Sequence, residues 1–257
     1  MRAHTLPPAA GWGWILTGFA IFRRNPPVLG MLVVTYWLTI IFLNVLPVIG
    51  ALAASLVIPG LSVGLMQAAR HVDRGQPASI QTLFGSMKEN GRTLLALGAL
   101  YLCCTLGILG LSTLLDGGDM FRFMMAGNRA ERAAVEDADF VWPALFVMAM
   151  MMPVMMAYWF APVLAAWHRL SLGKALFFSF IACWINWRPF LIYSFGIVLV
   201  AGIVPGVLLG TLMLIFPGAA NFITAIVTVP MALIIAPAIF ASFYASYRDI
   251  FGISEIV

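Results

Sequence analysis

Six apolar runs divide this chain, and no Asp, Glu, Lys, Arg or His stands in the middle of any of them. They fall at about 28–46, 51–69, 93–115, 140–167, 189–216 and 219–247. A helix needs about 20 apolar residues to cross a bilayer core, so each run is read as one membrane span. Hydrophobic residues make up 63% of the 257, and charged residues only 9%. A soluble domain carries about 25% charged residues. A surface this poor in charge must face lipid. The first eight residues hold one arginine and two prolines, with no continuous apolar core. No cleavable signal peptide is expected there; the first span is expected to serve as its own insertion signal.

A shorter pattern recurs before the odd-numbered spans. With Asn25, Asn90 and Asn186 as anchors, Ile15, Ile80 and Leu176 stand ten residues earlier. Phe19, Phe84 and Phe180 stand six earlier, and Phe22, Met87 and Cys183 three earlier. Steps of four and three keep these side chains on one helical face. After each asparagine comes a breaker or charge: Pro26-Pro27, Gly91-Arg92 or Trp187-Arg188-Pro189. Each segment is read as an interfacial helix in the headgroup layer, turned into the membrane at its asparagine. The even spans also rhyme. Arg70, Arg169 and Arg248 close them, and Pro59 and Pro237 each lie eleven residues before their arginine. Span 4 departs, with its nearest proline seven before.

The expected fold is therefore an all-α integral membrane protein in one transmembrane domain, residues 1–257. It has six transmembrane helices plus three interfacial amphipathic helices. The unit of interfacial helix, span, span occurs three times, at about 11–70, 75–169 and 173–248. A single packing solution reused this way predicts quasi-threefold packing. An even number of spans per unit keeps the units parallel, unlike the inverted repeats of many transporters.

The basic residues set the expected orientation. With both termini cytoplasmic, Arg2, Arg23, Arg24, Arg70, Arg74, Lys88, Arg92, Arg169, Lys174, Arg188 and Arg248 lie inside. Only Arg122, Arg129 and Arg132 lie outside, in the polar insertion at about 116–139. That distribution follows the positive-inside rule. It also accounts for the net charge of +4 without a nucleic-acid partner. Within the insertion, residues 120–125 are apolar enough to touch the membrane surface, and 129–135 read as a short helix.

Catalytic chemistry is hard to place. Intramembrane charges mark ion and proton pathways, and their absence argues against a coupled pump. The three histidines show no metal-ligand spacing. Cys103 and Cys104 point about 100° apart on a helix, which makes no chelate. Six methionines between Met148 and Met156 encircle their helix and read as packing. No nucleophile with a base, phosphate loop or carboxylate pair is visible. No catalytic residue, metal or cofactor is expected. Gly202, Gly206 and Gly210 give two small-xxx-small steps, expected to serve internal packing. The candidate sites are two sets. Asn25, Asn90 and Asn186 are expected to make structural turns. Arg70, Arg169 and Arg248, with Arg24, Arg92 and Arg188, stand at headgroup depth, where they would attract phosphate.

Several motifs carry a family resemblance. They are Gly11-Trp12-Gly13-Trp14, Phe22-Arg23-Arg24-Asn25-Pro26, Leu46-Pro47-Val48-Ile49-Gly50, Pro59-Gly60-Leu61 and Ala68-Ala69-Arg70-His71-Val72-Asp73-Arg74-Gly75. The chain resembles a family of six-span proteobacterial inner-membrane proteins, over nearly its whole length. That resemblance implies topology and location and no activity. The repeat unit is also similar to the membrane domain of some bacterial glycerophosphodiester phosphodiesterases. Their catalytic domain has no counterpart in this sequence, so no enzymatic activity is implied. The expected function is that of a non-enzymatic inner-membrane protein that binds or organises lipid, or serves as a subunit of a larger membrane complex. Anionic membrane lipids and other membrane proteins are its expected partners. The alternative is an uncoupled facilitator or flippase for a lipid or apolar solute. A polar cavity between the units favours that alternative, and a dry, filled centre favours the first reading.

Overall fold

The computed structural model describes residues 3–46, 49–125 and 141–252. Six helices among them are long and apolar enough to cross a membrane: Pro26–Leu43, Ile49–Asp73, Asn90–Asp116, Val141–His168, Trp187–Ile215 and Phe222–Phe251. These match the six apolar runs, and no strand occurs among the described residues. The three short helices are Ala10–Arg24, the part of Ile80–Asp116 before Asn90, and Leu172–Ile185. In the insertion, Asp119–Met125 is helical; the expected helix at 129–135 lies outside the described residues.

Each short helix does stop at its asparagine. Asn90 leaves helical geometry, with φ −133° and ψ 27°, inside an otherwise continuous helix. Asn25 and Asn186 fill the same position as caps. Their side chains act differently, however. Asn25 Oδ1 accepts from Val28 N at 3.4 Å and so caps its own span. Asn90 Nδ2 donates to Ala166 O, 3.0 Å away on span 4. Asn186 is fully buried and holds the N-terminal strap. Its Oδ1 accepts from Leu6 N, and its Nδ2 donates to His4 O and Ala182 O, each at 2.9 Å.

The first short helix buries one face within the protein. Gly11, Trp14, Ile15, Gly18, Ile21 and Phe22 are buried, while Trp12 and Leu16 are exposed. Small residues permit this. A Cβ on Gly18 would sit 2.7 Å from Ser242 Cβ and 2.8 Å from Ser242 N on span 6. A Cβ on Gly11 would sit 2.8 Å from Tyr193 N on span 5. Trp14 then joins an aromatic cluster with Phe190 and Tyr193, at ring separations of 5.3 and 5.5 Å. The second short helix lies as closely on span 2, where a Cβ on Gly64 would stand 2.7 Å from Leu83 Cα.

The third short helix meets span 4 through a hydroxyl. Span 4 breaks between Tyr158 and Ala161. Pro162 has no N–H to return to the preceding turn, and the Ser179 hydroxyl enters the gap. Ser179 Oγ accepts from Phe160 N at 2.9 Å and donates to Met156 O at 2.8 Å. Those two backbone groups would otherwise bond each other as an ordinary i→i−4 pair. A side chain inserted into the ladder is a recognised cause of helix breaks.

Span 5 contains a π turn at Leu199–Ile203. Among the described residues, its most apolar stretch has no buried residue. Gly202, Gly206 and Gly210 lie there, and a Cβ on any of them would meet nothing within 4 Å. The small-xxx-small stripe therefore does not serve packing among the described residues. It lies on an outward face that the described residues do not cover.

Candidate functional site

The ends of spans 2, 4 and 6 gather at one face of the bundle, together with the end of the first short helix. Two polar assemblies form there. The first centres on Asp73, at the last turn of span 2. Arg24 Nη1 donates to Asp73 Oδ1 at 3.1 Å and to its backbone oxygen at 2.6 Å. Arg248 Nη1 donates to Asp73 Oδ2 at 3.1 Å, and Tyr244 OH lies 3.4 Å from the same oxygen. Arg248 Nε also reaches Asp249 Oδ1 at 3.2 Å, and Asp249 Oδ2 accepts from Trp14 Nε1 at 3.2 Å. One carboxylate thus ties together elements from both ends of the sequence.

The second assembly is a polar cavity of about 450 Å³. Gln67, Arg70 and His71 line it from span 2. Thr82, Gly85, Ser86 and Asn90 line it from the second short helix, and Ala166, Trp167 and Arg169 from the end of span 4. Arg70 stacks over the Trp167 ring, 5.0 Å from its centroid. Arg169 caps its helix with φ 51°, a left-handed conformation uncommon for a residue other than glycine. Asn90 fixes the cavity's far wall through Ala166 O. His71 Nδ1 lies 3.0 Å from Pro77 O, and its Nε2 lies 2.8 Å from Gln67 Nε2. Among the described residues, neither Arg70 nor Arg169 pairs with a carboxylate. The cavity is lined by two arginines together with hydrogen-bonding side chains.

The six arginines singled out in the sequence thus have three surroundings. Arg24 and Arg248 share Asp73. Arg70 and Arg169 share the cavity. Arg92 and Arg188 are exposed, the latter lying 5.3 Å from the Trp187 ring centroid. Sequence reading missed Asp73 and Asp249. The available signal was an acid three residues after Arg70 and another beside Arg248, at span ends otherwise rich in basic residues. Among the described residues, no group of three or more His, Cys, Asp and Glu is placed to hold a metal ion.

No protein-family model matches this chain, and no solved structure matches it. One curated relative, named "Probable inner membrane protein", comes from Burkholderia thailandensis. It is 36% identical over 262 residues, an alignment covering 99% of this chain and 96% of the relative. With similarity over nearly both full lengths and six membrane-length helices of its own, this chain belongs to that family of inner-membrane proteins as a multi-pass member.

Proposed function

We propose that this protein is a non-enzymatic membrane component that binds an anionic phospholipid headgroup in the cavity between Arg70 and Arg169. The observation that carries this reading is the cavity itself. It lies between the first two units, where a facilitator would open, but its polar lining stops at the span ends. The space next to it is mainly apolar, which favours a headgroup site over a polar path. The cavity brings two arginines without acid partners together with amide and hydroxyl side chains, at the end of the membrane spans. A basic residue beside an anionic headgroup is worth about 1 kcal/mol, so the pair contributes about 2 kcal/mol, a factor of about 30 in affinity. Replacing Arg70 and Arg169 together with Gln should lower retained phosphatidylglycerol by that order, measured by native mass spectrometry of purified protein. Arg24→Gln with Arg248→Gln should lower stability and leave lipid retention largely intact. Inorganic phosphate competing as well as phosphatidylglycerol would mark the cavity as a site for free anions. Equal retention by the Arg70/Arg169 variant and the parent would refute the reading.

This reading puts both termini and the polar cavity on the cytoplasmic side, as the distribution of basic residues supports. A phosphatase reporter fused at Gly127, which lies outside the described residues, should be active. One at the C-terminus should be inactive. The reverse pattern would invert the topology.

The threefold repeat belongs to the same proposal. Gly18 and Leu83 both stand seven residues before their asparagines. Their contacts, Ser242 and Gly64, both stand six before their arginines. In each pair one partner is glycine, which supports one docking solution used twice. Ser179 also stands seven before Asn186, but it reaches Phe160, nine before Arg169. The break in span 4 accounts for that shift.

A further inference from the structure

A second cavity lies deeper in the bundle and shares two walls with the first. Its volume is about 280 Å³, and Ser55, Pro59, Ser62, Tyr101, Tyr158 and Phe243 are among its lining residues. Met66 also lines it, one turn before Arg70 of the polar cavity. Val163 lines it one turn before Ala166 and Trp167. Residues three or four apart lie one above the other on a helix, so the two cavities follow one another along the same faces of spans 2 and 4. Pro59, Tyr101 and Tyr158 each lie eleven residues from the polar end, counted from Arg70, Asn90 and Arg169. At 1.5 Å per residue that is about 16 Å, close to half of a hydrocarbon core about 30 Å thick.

The break in span 4 borders this space. Tyr158 and Trp159 stand at the break, and both line the cavity. Tyr158 OH and Trp159 Nε1 are buried there without a hydrogen-bond partner among the described residues. Ile58 and Met155, which also line it, are exposed on the surface of the bundle.

From this continuity we infer that the deep cavity takes an acyl chain of the lipid whose headgroup sits between Arg70 and Arg169. The inference rests on the headgroup reading above and extends it to a two-part site. The ligand is an anionic phospholipid of the leaflet at the basic face, inserted between spans 2 and 4. The small volume suits one slender chain; sites for compact drug-sized molecules hold about 300–1,000 Å³. A headgroup chamber alone would accept any anionic lipid at the rim. A chain cavity below it requires the lipid to leave the bulk bilayer and lodge within the bundle.

Photocrosslinking of the full chain in phosphatidylglycerol nanodiscs tests this. The probe is a phosphatidylglycerol with a diazirine near the end of one chain. Crosslinks are expected on peptides containing Tyr101, Met155 and Tyr158. They should fall about tenfold in Ser62→Phe, which fills the cavity, and also in the Arg70→Gln, Arg169→Gln variant. The unsubstituted protein carries the primary test, so a filling variant that fails to fold leaves it decided. Crosslinks confined to outward residues such as Val207 and Leu214 would overturn the chain site. Headgroup retention by native mass spectrometry would then judge the headgroup reading separately. Cavity crosslinks that are equally strong with phosphatidylcholine and indifferent to the arginine substitutions would overturn the two-part site, leaving a cavity for neutral chains.

Discussion

Gly64→Ala will strongly destabilise this protein, although it adds one methyl group in the middle of a helix. That methyl would stand 2.6 Å from the carbonyl carbon of Leu83 and 2.7 Å from its Cα. Both are backbone atoms, so no rotamer change relieves the contact. Leu83 is itself fully buried, and the second short helix must move outward as a body. Overpacking typically costs about 1–3 kcal/mol, and a clash against backbone belongs at the upper end. The check is a melting curve in detergent, followed by size exclusion. Gly18→Ala should behave alike, because its methyl meets Ser242 at 2.7 Å. Gly13→Ala is the control. It meets nothing within 4 Å, and relieving a helical glycine is worth about 0.5–1 kcal/mol in its favour. If Gly64→Ala melts with the Gly13→Ala control, the close approach of these helices is not what holds the bundle.

These contacts also show what the sequence could convey. The six spans were legible because hydropathy reports composition over about 20 residues, and lipid demands composition. The turns at Asn25, Asn90 and Asn186 were legible because breakers follow each one. Three distinct roles for those asparagines were not. Which carbonyl Asn90 meets, or that Asn186 holds His4 and Leu6, depends on elements far away in the chain. The first short helix read as an interfacial helix, and its apolar face was visible. The spacing could not say whether that face meets lipid or protein, since both are apolar. Gly11 and Gly18 were the hint, because glycine spaced seven apart on one face permits close approach by another helix. The opposite error occurred at Gly202, Gly206 and Gly210. The same kind of spacing suggested internal packing, yet these glycines lie on an outward face. A small-residue stripe marks a surface that another helix can approach, without saying whether one does.

The site was partly legible for a related reason. Arginines at span ends are readable one at a time, but their division among partners is not. Arg70, Arg169 and Arg248 look equivalent in sequence. Asp73 separates them, by drawing Arg248 and Arg24 to itself and leaving the other two at the cavity. The cavity below was hidden still further. It borders the break in span 4 where Ser179 enters the ladder, and an isolated serine carries no sign of that.

Asp73→Ala should be the most damaging loss of a single polar side chain. Asp73 is only 14% exposed, and Arg248 is 30% exposed. Charge-assisted bonds of this kind contribute about 1.5–3 kcal/mol, and removing the acceptor leaves Asp249 as the remaining acid partner of the Arg248 guanidinium. Arg24 is 55% exposed, and an exposed ion pair is worth about 0–1 kcal/mol. Asp73→Ala is therefore expected to cost about 2–3 kcal/mol, Arg248→Ala nearly as much, and Arg24→Ala less than about 1 kcal/mol. The double variant Asp73→Ala, Arg248→Ala should cost clearly less than the sum of its parts, with a coupling above about 1 kcal/mol. Salt separates the two arginines further, because screening reaches an exposed pair and largely spares a half-buried one. Raising ionic strength should erase the Arg24 contribution and preserve most of the Arg248 coupling. A coupling near zero for Asp73 and Arg248 in low salt would mean that this junction of span 2, span 6 and the first short helix is held by packing alone.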